Sequence, residues 1–269
     1  MANEIIINNE NIRIRPSAIV GFYSCAYAWG KTFLEGQSSI PGARASIGTA
    51  IHAGVETLWK EAIETGKKDA NQSKLTDAAM QAWKEDTHEG VNFDDGENEG
   101  TAAVEIVRGI EAFVEDIAPF TQIPTAVEEF YKVDIQNPLV SELGGTVDYI
   151  TDDTIADVKT SKRKIDAQGH VVQQSIYKYL ANKNGKDIKH NLIQGVILKK
   201  TGAEGMVQEM QADIPMATGL VNGMLDTMEL IAKDVAPIHH ILRGNPKYYL
   251  CSKKYCSQYN TCPFVSGKL

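Results

Sequence analysis

A chain of 269 residues can bury a sizeable core as one large domain or as one domain with an insertion. Its 43% hydrophobic and 23% charged residues are ordinary for a globular protein, and no apolar run approaches the roughly 20 residues that would span a bilayer. The formal charge of −8 excludes a protein that coats nucleic acid by bulk electrostatics, while leaving room for local contacts. The opening MANEIIINNENIRIRP lacks the basic start and apolar middle of a secretion signal, so a cytoplasmic setting is expected.

In chain order, Pro16 to Glu35 reads as a first helix that carries Cys25, with an apolar face through Ile19, Val20, Tyr23, Tyr27 and Phe33. A second helix is expected from Gly48 to Thr65, burying Ile51, Val55, Leu58 and Ile63, with His52 beside that face. Two amphipathic helices, about Lys74 to Glu89 and Thr101 to Ile117, flank an acidic, glycine-containing linker and look like an insertion. After Pro124 the period changes to two, predicting a strand from Ala126 to Val133 on which either Glu128 or Glu129 faces inward. A helix over Asp166 to Asn182, strands at Asn191 to Lys199 and Gly205 to Ile214, and a helix from about Met216 to Asp234 complete the pattern. This order predicts an α/β protein with a mixed sheet covered by helices on both faces.

The central stretch is GGTVDYITDDTIADVKTSKRK, from Gly144 to Lys164. Two β-rich runs, Thr146 to Thr151 and Thr154 to Thr160, flank Asp152-Asp153 as a two-residue hairpin turn. Pairing Thr151 with Thr154 sets Tyr149 opposite Ala156 and Asp148 opposite Asp157, with Lys159 on the same face as Asp157. Val147, Tyr149, Ala156 and Val158 then form an apolar opposite face. Two carboxylates facing each other repel, and a cation between them relieves the cost.

Cys25 and three cysteines near the end, Cys251, Cys256 and Cys262, are the only four in the chain. A chain without a secretion signal is a poor setting for disulfides, and four thiolates suit a tetrahedral zinc or a cubane iron-sulfur cluster. The intervals of four and five residues, the distant partner and Pro263 after the last cysteine favour the cluster over zinc.

The order His52, Asp148, Asp157-x-Lys159, Gln173-x-x-x-Tyr177 resembles the RecB-type branch of the PD-(D/E)XK nucleases, with GGTVDYI and IADVKTS as its second and third motifs. Cys25 with the C-terminal trio resembles the iron-sulfur version found in AddB-type helicase-nucleases and small CRISPR-associated nucleases, although that version has two residues, not four, in the first C-terminal interval. The resemblance covers nearly the whole chain and implies a restriction-endonuclease-like fold in a single domain, 1–269. Within it, 1–120 would be helical, 121–235 the nuclease core, and 236–269 the segment that closes a 4Fe-4S cluster with Cys25.

The resemblance also implies chemistry. His52, Asp148, Asp157 and the Val158 carbonyl would hold one or two Mg²⁺ or Mn²⁺ ions, whose hard character suits oxygen ligands. Lys159 would position water or stabilise the transition state, and Gln173 and Tyr177 would orient the site. Lys162, Arg163 and Lys164 would contact phosphates. The expected activity is a DNA exonuclease acting on ends and preferring single strands. It is compatible with recombination, repair, phage or CRISPR partner proteins and with an oligomer. No Gly-x-x-x-x-Gly-Lys-Ser/Thr loop is present, so no motor is expected. A non-catalytic DNA-end-binding subunit and a zinc-stabilised nuclease are the alternatives.

Overall fold

The period-two residues after Pro124 lead into a six-stranded mixed sheet in the computed structural model, which describes residues 5–9, 11–37, 40–69 and 71–265. Its strands are β1 (Ile12–Ile14), β2 (Ala126–Asp134), β3 (Val140–Ile150), β4 (Thr154–Ser161), β5 (His190–Lys199) and β6 (Gly202–Met210). The longest, β3, pairs antiparallel with β2 along most of its length. The other edge of β3 is shared: β1 runs parallel to its start and β4 antiparallel to its end. β4 and β5 are parallel, joined by the crossover helix α6 described below, and β5 and β6 form a hairpin.

Helices cover both faces, because each face presents its own apolar set. On one face pack α1 (Pro16–Ser24), α2 (Ala26–Phe33), α6 (Val171–Lys183) and α7 (Ile214–Ala232), around Ile14, Ile19, Leu34, Val147, Ile150, Ile176 and Met224. On the other pack α3 (Ala43–Thr65), α4 (Gln72–Asp86) and α5 (Glu99–Ala112), around Trp59, Phe113, Tyr149, Ala156 and Val196. The chain ends in a short helix α8 (Ile238–Ile241) and a segment of turns that carries the three C-terminal cysteines. No helix among the described residues is long and apolar enough to cross a membrane.

Several boundaries differ from the sequence reading, each for a local reason. The expected single helix 16–35 is broken at Cys25, whose backbone is extended (φ −159°, ψ 91°). A continuous helix would bond the Tyr27 N–H to residue 23, whereas here it donates to Arg243 O at 3.2 Å, tying the break to the C-terminal segment. The last strand ends at Met210 and not Ile214, because the Asp213 side chain caps α7 by accepting from Met216 N at 2.8 Å. α5 stops at Ala112 and continues as one π-helical turn, Phe113–Ile117. β1, three residues long, has no periodic signature and was not anticipated.

Candidate active site

The hairpin pairs Tyr149 with Ala156 and Ile150 with Ile155, and the two-residue turn closes with Thr151 N donating to Thr154 O at 2.9 Å. Beyond those two pairs β3 and β4 part. Asp148 and Asp157, which the extrapolated register sets opposite each other, are therefore not ladder partners. The Asp148 carboxylate instead takes the place of a β3 carbonyl: its Oδ2 accepts from Val158 N at 2.6 Å. The N–H and C=O of one strand residue project to the same edge, so the Val158 carbonyl also faces the split.

A second interruption lies on the other side of Asp148. β2 and β3 pair at Val127–Tyr149 and Glu129–Val147 but skip Glu128 and Asp148. Glu128 sits in the left-handed region (φ 52°), unusual for a residue with a Cβ. Both strands change phase there. Val147 packs in the α1/α6/α7 core while Tyr149, two residues on, packs in the α3–α5 core, so the single apolar face expected for Val147 and Tyr149 is not formed. The same irregularity decides between the two glutamates. Glu128 turns toward Asp148, whereas Glu129 accepts from the Tyr131 hydroxyl at 2.5 Å and lies 3.6 Å from Lys186.

His52 on α3 completes a trio with these acids. Ligand atoms of His52, Glu128 and Asp148 all lie within 4.8 Å of one another, with His52 Nδ1 3.5 Å from Asp148 Oδ1. α3 comes this close to β4 because residue 48 is glycine: a Cβ there would stand 3.0 Å from Thr160 Oγ1. The trio opens onto a cavity of about 640 Å³, which Val158, Lys159, Thr160, Arg44 and Glu56 also line. Asp157 is buried just behind it, with its Oδ2 2.6 Å from Lys159 Nζ. That oxygen makes the ion pair without a well-aligned hydrogen bond.

Charge is unevenly shared. Burial opposes a charge on the His52 ring, but the Asp148 carboxylate outweighs it and pushes His52 up to about 9. Burial likewise opposes ionisation of Asp148, yet His52, Lys159 and the Val158 N–H hold it below the usual carboxylate range. Asp157 goes the other way. Burial, reinforced by Asp148 and only partly offset by Lys159, raises it to about 6. Glu128, part of which reaches solvent, is raised to about 7 by burial, then Asp148 and Glu56.

Gln173 and Tyr177 lie on α6. Tyr177 packs over Gly145 of β3, and burial followed by the field of the carboxylates holds its hydroxyl well above its usual range against a hydrogen bond to Gln173. Lys162 is 2.6 Å from Glu97, so it is already partnered, while Arg163 and Lys164 are exposed. All four cysteines line one cavity of about 470 Å³. Burial first, then the neighbouring thiols, raises Cys251 and Cys256. Among the described residues no three sulfurs approach within 4.8 Å of one another.

Sequence reasoning left Glu128 undecided and did not reach Glu56, Arg44 or His170. Glu56 was within reach, since it follows His52 by four residues and so shares its helix face. His170, just before α6, is lowered by burial and then by Lys159, which places it near the lysine.

A family model described as the PD-(D/E)XK nuclease superfamily matches residues 13–263. Among solved structures, the chain is similar to one from Eubacterium rectale named "Putative exonuclease", with a TM-score of 0.58 and 12% identity over 83% of this chain and 82% of that one. It also matches SSO0001 at 13% identity over 85% of this chain and 88% of that one, but the TM-score of 0.36 is too low to carry an argument. No protein of curated function matches in sequence.

Proposed function

As the chain belongs to the PD-(D/E)XK nuclease superfamily, we propose that it is a Mg²⁺- or Mn²⁺-dependent DNA exonuclease of the RecB-like, iron-sulfur kind. It hydrolyses phosphodiester bonds from DNA ends with a preference for single strands, in recombination, repair, or phage or CRISPR DNA processing. The observation that carries this reading is the convergence of His52, Glu128 and Asp148 on one point beside the Asp157–Lys159 pair.

Such a set fits a divalent cation, because two carboxylates held this close repel each other and a phosphate unless positive charge lies between them, and the imidazole offers a nitrogen ligand beside them. A bound cation supplies Lewis acidity toward the scissile phosphate and acidifies the attacking water. The chain's own groups do the rest. Asp148, fixed by the Val158 N–H and His52, keeps its charge at neutral pH and anchors the trio. Lys159 presents its ammonium to a phosphate oxygen on which charge accumulates as water attacks phosphorus and the ester oxygen leaves. Tyr177 and Gln173 close the α6 side, holding strand and water in line.

The four cysteines fit a 4Fe-4S cluster, since they share one cavity and join the α1–α2 break to the C-terminal segment. The intervals of four and five residues between the C-terminal cysteines, the distant Cys25 and Pro263 after the last cysteine support the cluster over zinc. The direct test is anaerobically purified protein with end-labelled single- and double-stranded DNA in Mg²⁺, Mn²⁺ or EDTA. Stepwise, metal-dependent release from the ends of single strands is expected. Uncut DNA in every metal would return the chain to the role of an end-binding subunit.

A further inference from the structure

Where the catalytic strand β4 ends, a second cavity of about 480 Å³ begins. It shares Arg44 and Thr160 with the cavity at the carboxylates, so the two adjoin. It is lined by Ser161, the last residue of β4, with Lys162 and Arg163 after it, and by Tyr249 and Tyr255 from the C-terminal segment. Those tyrosines are 78% and 55% exposed. Tyr249 is braced edge-on by Tyr248, with ring centroids 4.8 Å apart, and Tyr255 has Lys254 Nζ 5.3 Å from its centroid.

Two exposed rings, each with one neighbour against it, line the same cavity as Arg163, a cation that has no ion-pair partner among the described residues. The other charges on this wall are matched: Lys162 and Arg44 are paired with Glu97, and the one acid of the cavity, Asp94, lies 2.9 Å from Lys254. The cavity is therefore neither an acidic cation site nor a plain apolar groove. Flat π-faces beside an unpaired guanidinium match a nucleotide whose base is free to stack and whose phosphate needs a counter-charge. Bases in a duplex already stack on one another, so only a single strand can offer them.

We propose that this cavity is a single-strand subsite next to the scissile phosphate, in which splayed bases stack on Tyr249 and Tyr255 while Arg163 holds a flanking phosphate. It rests on the nuclease reading above and adds to it the origin of strand preference. The cavity also shares Leu250 and Tyr255 with the cavity of the four cysteines, and Tyr255 directly precedes Cys256. The cysteine segment thereby sets the position of one stacking ring.

The test measures binding, not cleavage. Fluorescence anisotropy with wild-type protein in EDTA compares a labelled oligo-dT, the same oligonucleotide made abasic over its terminal nucleotides, and a blunt duplex. Tyr249→Leu and Tyr255→Leu should each weaken oligo-dT binding by about tenfold or more, with Tyr→Phe restoring it. The abasic strand should bind wild type as weakly as oligo-dT binds the Leu variants, and the Leu substitutions should cost nothing further on it. Arg163→Gln should weaken normal and abasic strands alike. Equal binding of abasic and normal strands by wild type overturns the subsite without reference to any variant. So do Leu variants that bind oligo-dT as wild type does. If oligo-dT binds and wild type cleaves it, either result leaves the nuclease reading standing. Absence of all DNA binding removes the subsite, while the nuclease reading stands or falls on cleavage of the same oligo-dT in Mg²⁺ or Mn²⁺.

Discussion

Asp157 is the place where the site pays in stability for its chemistry, and Asp157→Asn in metal-free protein measures the cost. Its side chain is 5% exposed, and burial with the nearby Asp148 charge lifts its pKa from 3.8 to about 6 even against Lys159. A difference of about 2, at about 1.4 kcal/mol for each, makes the ionised form cost about 3 kcal/mol at neutral pH. The sign follows from proton counting. Between about pH 4 and pH 6 the folded chain holds the proton that the unfolded chain has released, so stability falls as pH rises through that window. The neutral amide escapes this. In EDTA at pH 7, Asp157→Asn should be more stable than wild type by about 2–3 kcal/mol, a melting temperature higher by roughly 5 °C or more for a chain of this size. The gap should close below about pH 4. Saturating Mg²⁺ should reverse the order, because the family resemblance makes Asp157 a ligand and the ion then binds the native wild-type site more tightly than the variant's. Urea unfolding from pH 4 to pH 8, with EDTA and with Mg²⁺, is the assay. A gap that does not change with pH, or an Asn variant that is less stable in EDTA at pH 7, would refute the reasoning. The paired test is Asp148→Asn. Opposition of Asp148 and Asp157, taken alone, makes this substitution stabilising as well, but His52 and the Val158 N–H hold Asp148 ionised and bonded, so it should destabilise.

Lys159→Ala should lower metal-dependent DNA cleavage at least a hundredfold and, by leaving buried Asp157 without its ion-pair partner, should also lower the melting temperature; wild-type rates from a clean preparation would remove it from the reaction. Mn²⁺ affinity by calorimetry should rise from pH 7 to pH 9, with protons released into the buffer, because His52, at about 9, must lose its proton to serve as a ligand; an affinity flat in pH would exclude His52. Cys25→Ser should abolish iron content and the broad absorbance near about 400 nm and should destabilise the fold, since the thiols cross-link positions far apart in the chain. Stoichiometric zinc in the anaerobic wild type would replace the cluster. Gly145→Ala would place a Cβ 2.7 Å from Pro16 Cδ and 2.9 Å from Tyr177 Cε1, so it should cost about 1–3 kcal/mol and lower kcat by displacing Tyr177; an unchanged kcat would separate Tyr177 from catalysis.

Local rules carried the sequence reading as far as local rules apply. The Asp152-Asp153 turn and β-rich flanks gave the register that pairs Tyr149 with Ala156, and a period of two put Lys159 beside Asp157. What the sequence could not supply was non-local. The choice of Glu128 over Glu129 depends on a left-handed residue in mid-strand, and no residue type announces it, because Glu is a poor candidate for that conformation. Cys25 interrupts an otherwise helical run because Arg243, 218 positions later, takes the Tyr27 N–H. Lys162 looked free for phosphate until the fold brought Glu97 to 2.6 Å, across 65 positions.

The choice of Glu128 and the failed opposition of Asp148 and Asp157 share a physical root in the ladder bonds that β3 gives up. On its β2 edge the chain skips the Glu128–Asp148 pair, and on its β4 edge the strands separate after two pairs. Each interruption leaves backbone groups to satisfy, and an unsatisfied N–H in a buried sheet costs about as much as a lost hydrogen bond. The Asp148 carboxylate answers the deficit by accepting from Val158 N, and the same bond fixes the acid's orientation toward His52 and Glu128. Removing the carboxylate therefore strands a backbone donor as well as a ligand. Restoring a regular ladder would bury the acid against its neighbours and close the gap. The cleft and the rigidity of its central carboxylate are two results of one missing stretch of pairing, which is why Asp148 is the residue at which stability and metal binding should be lost together.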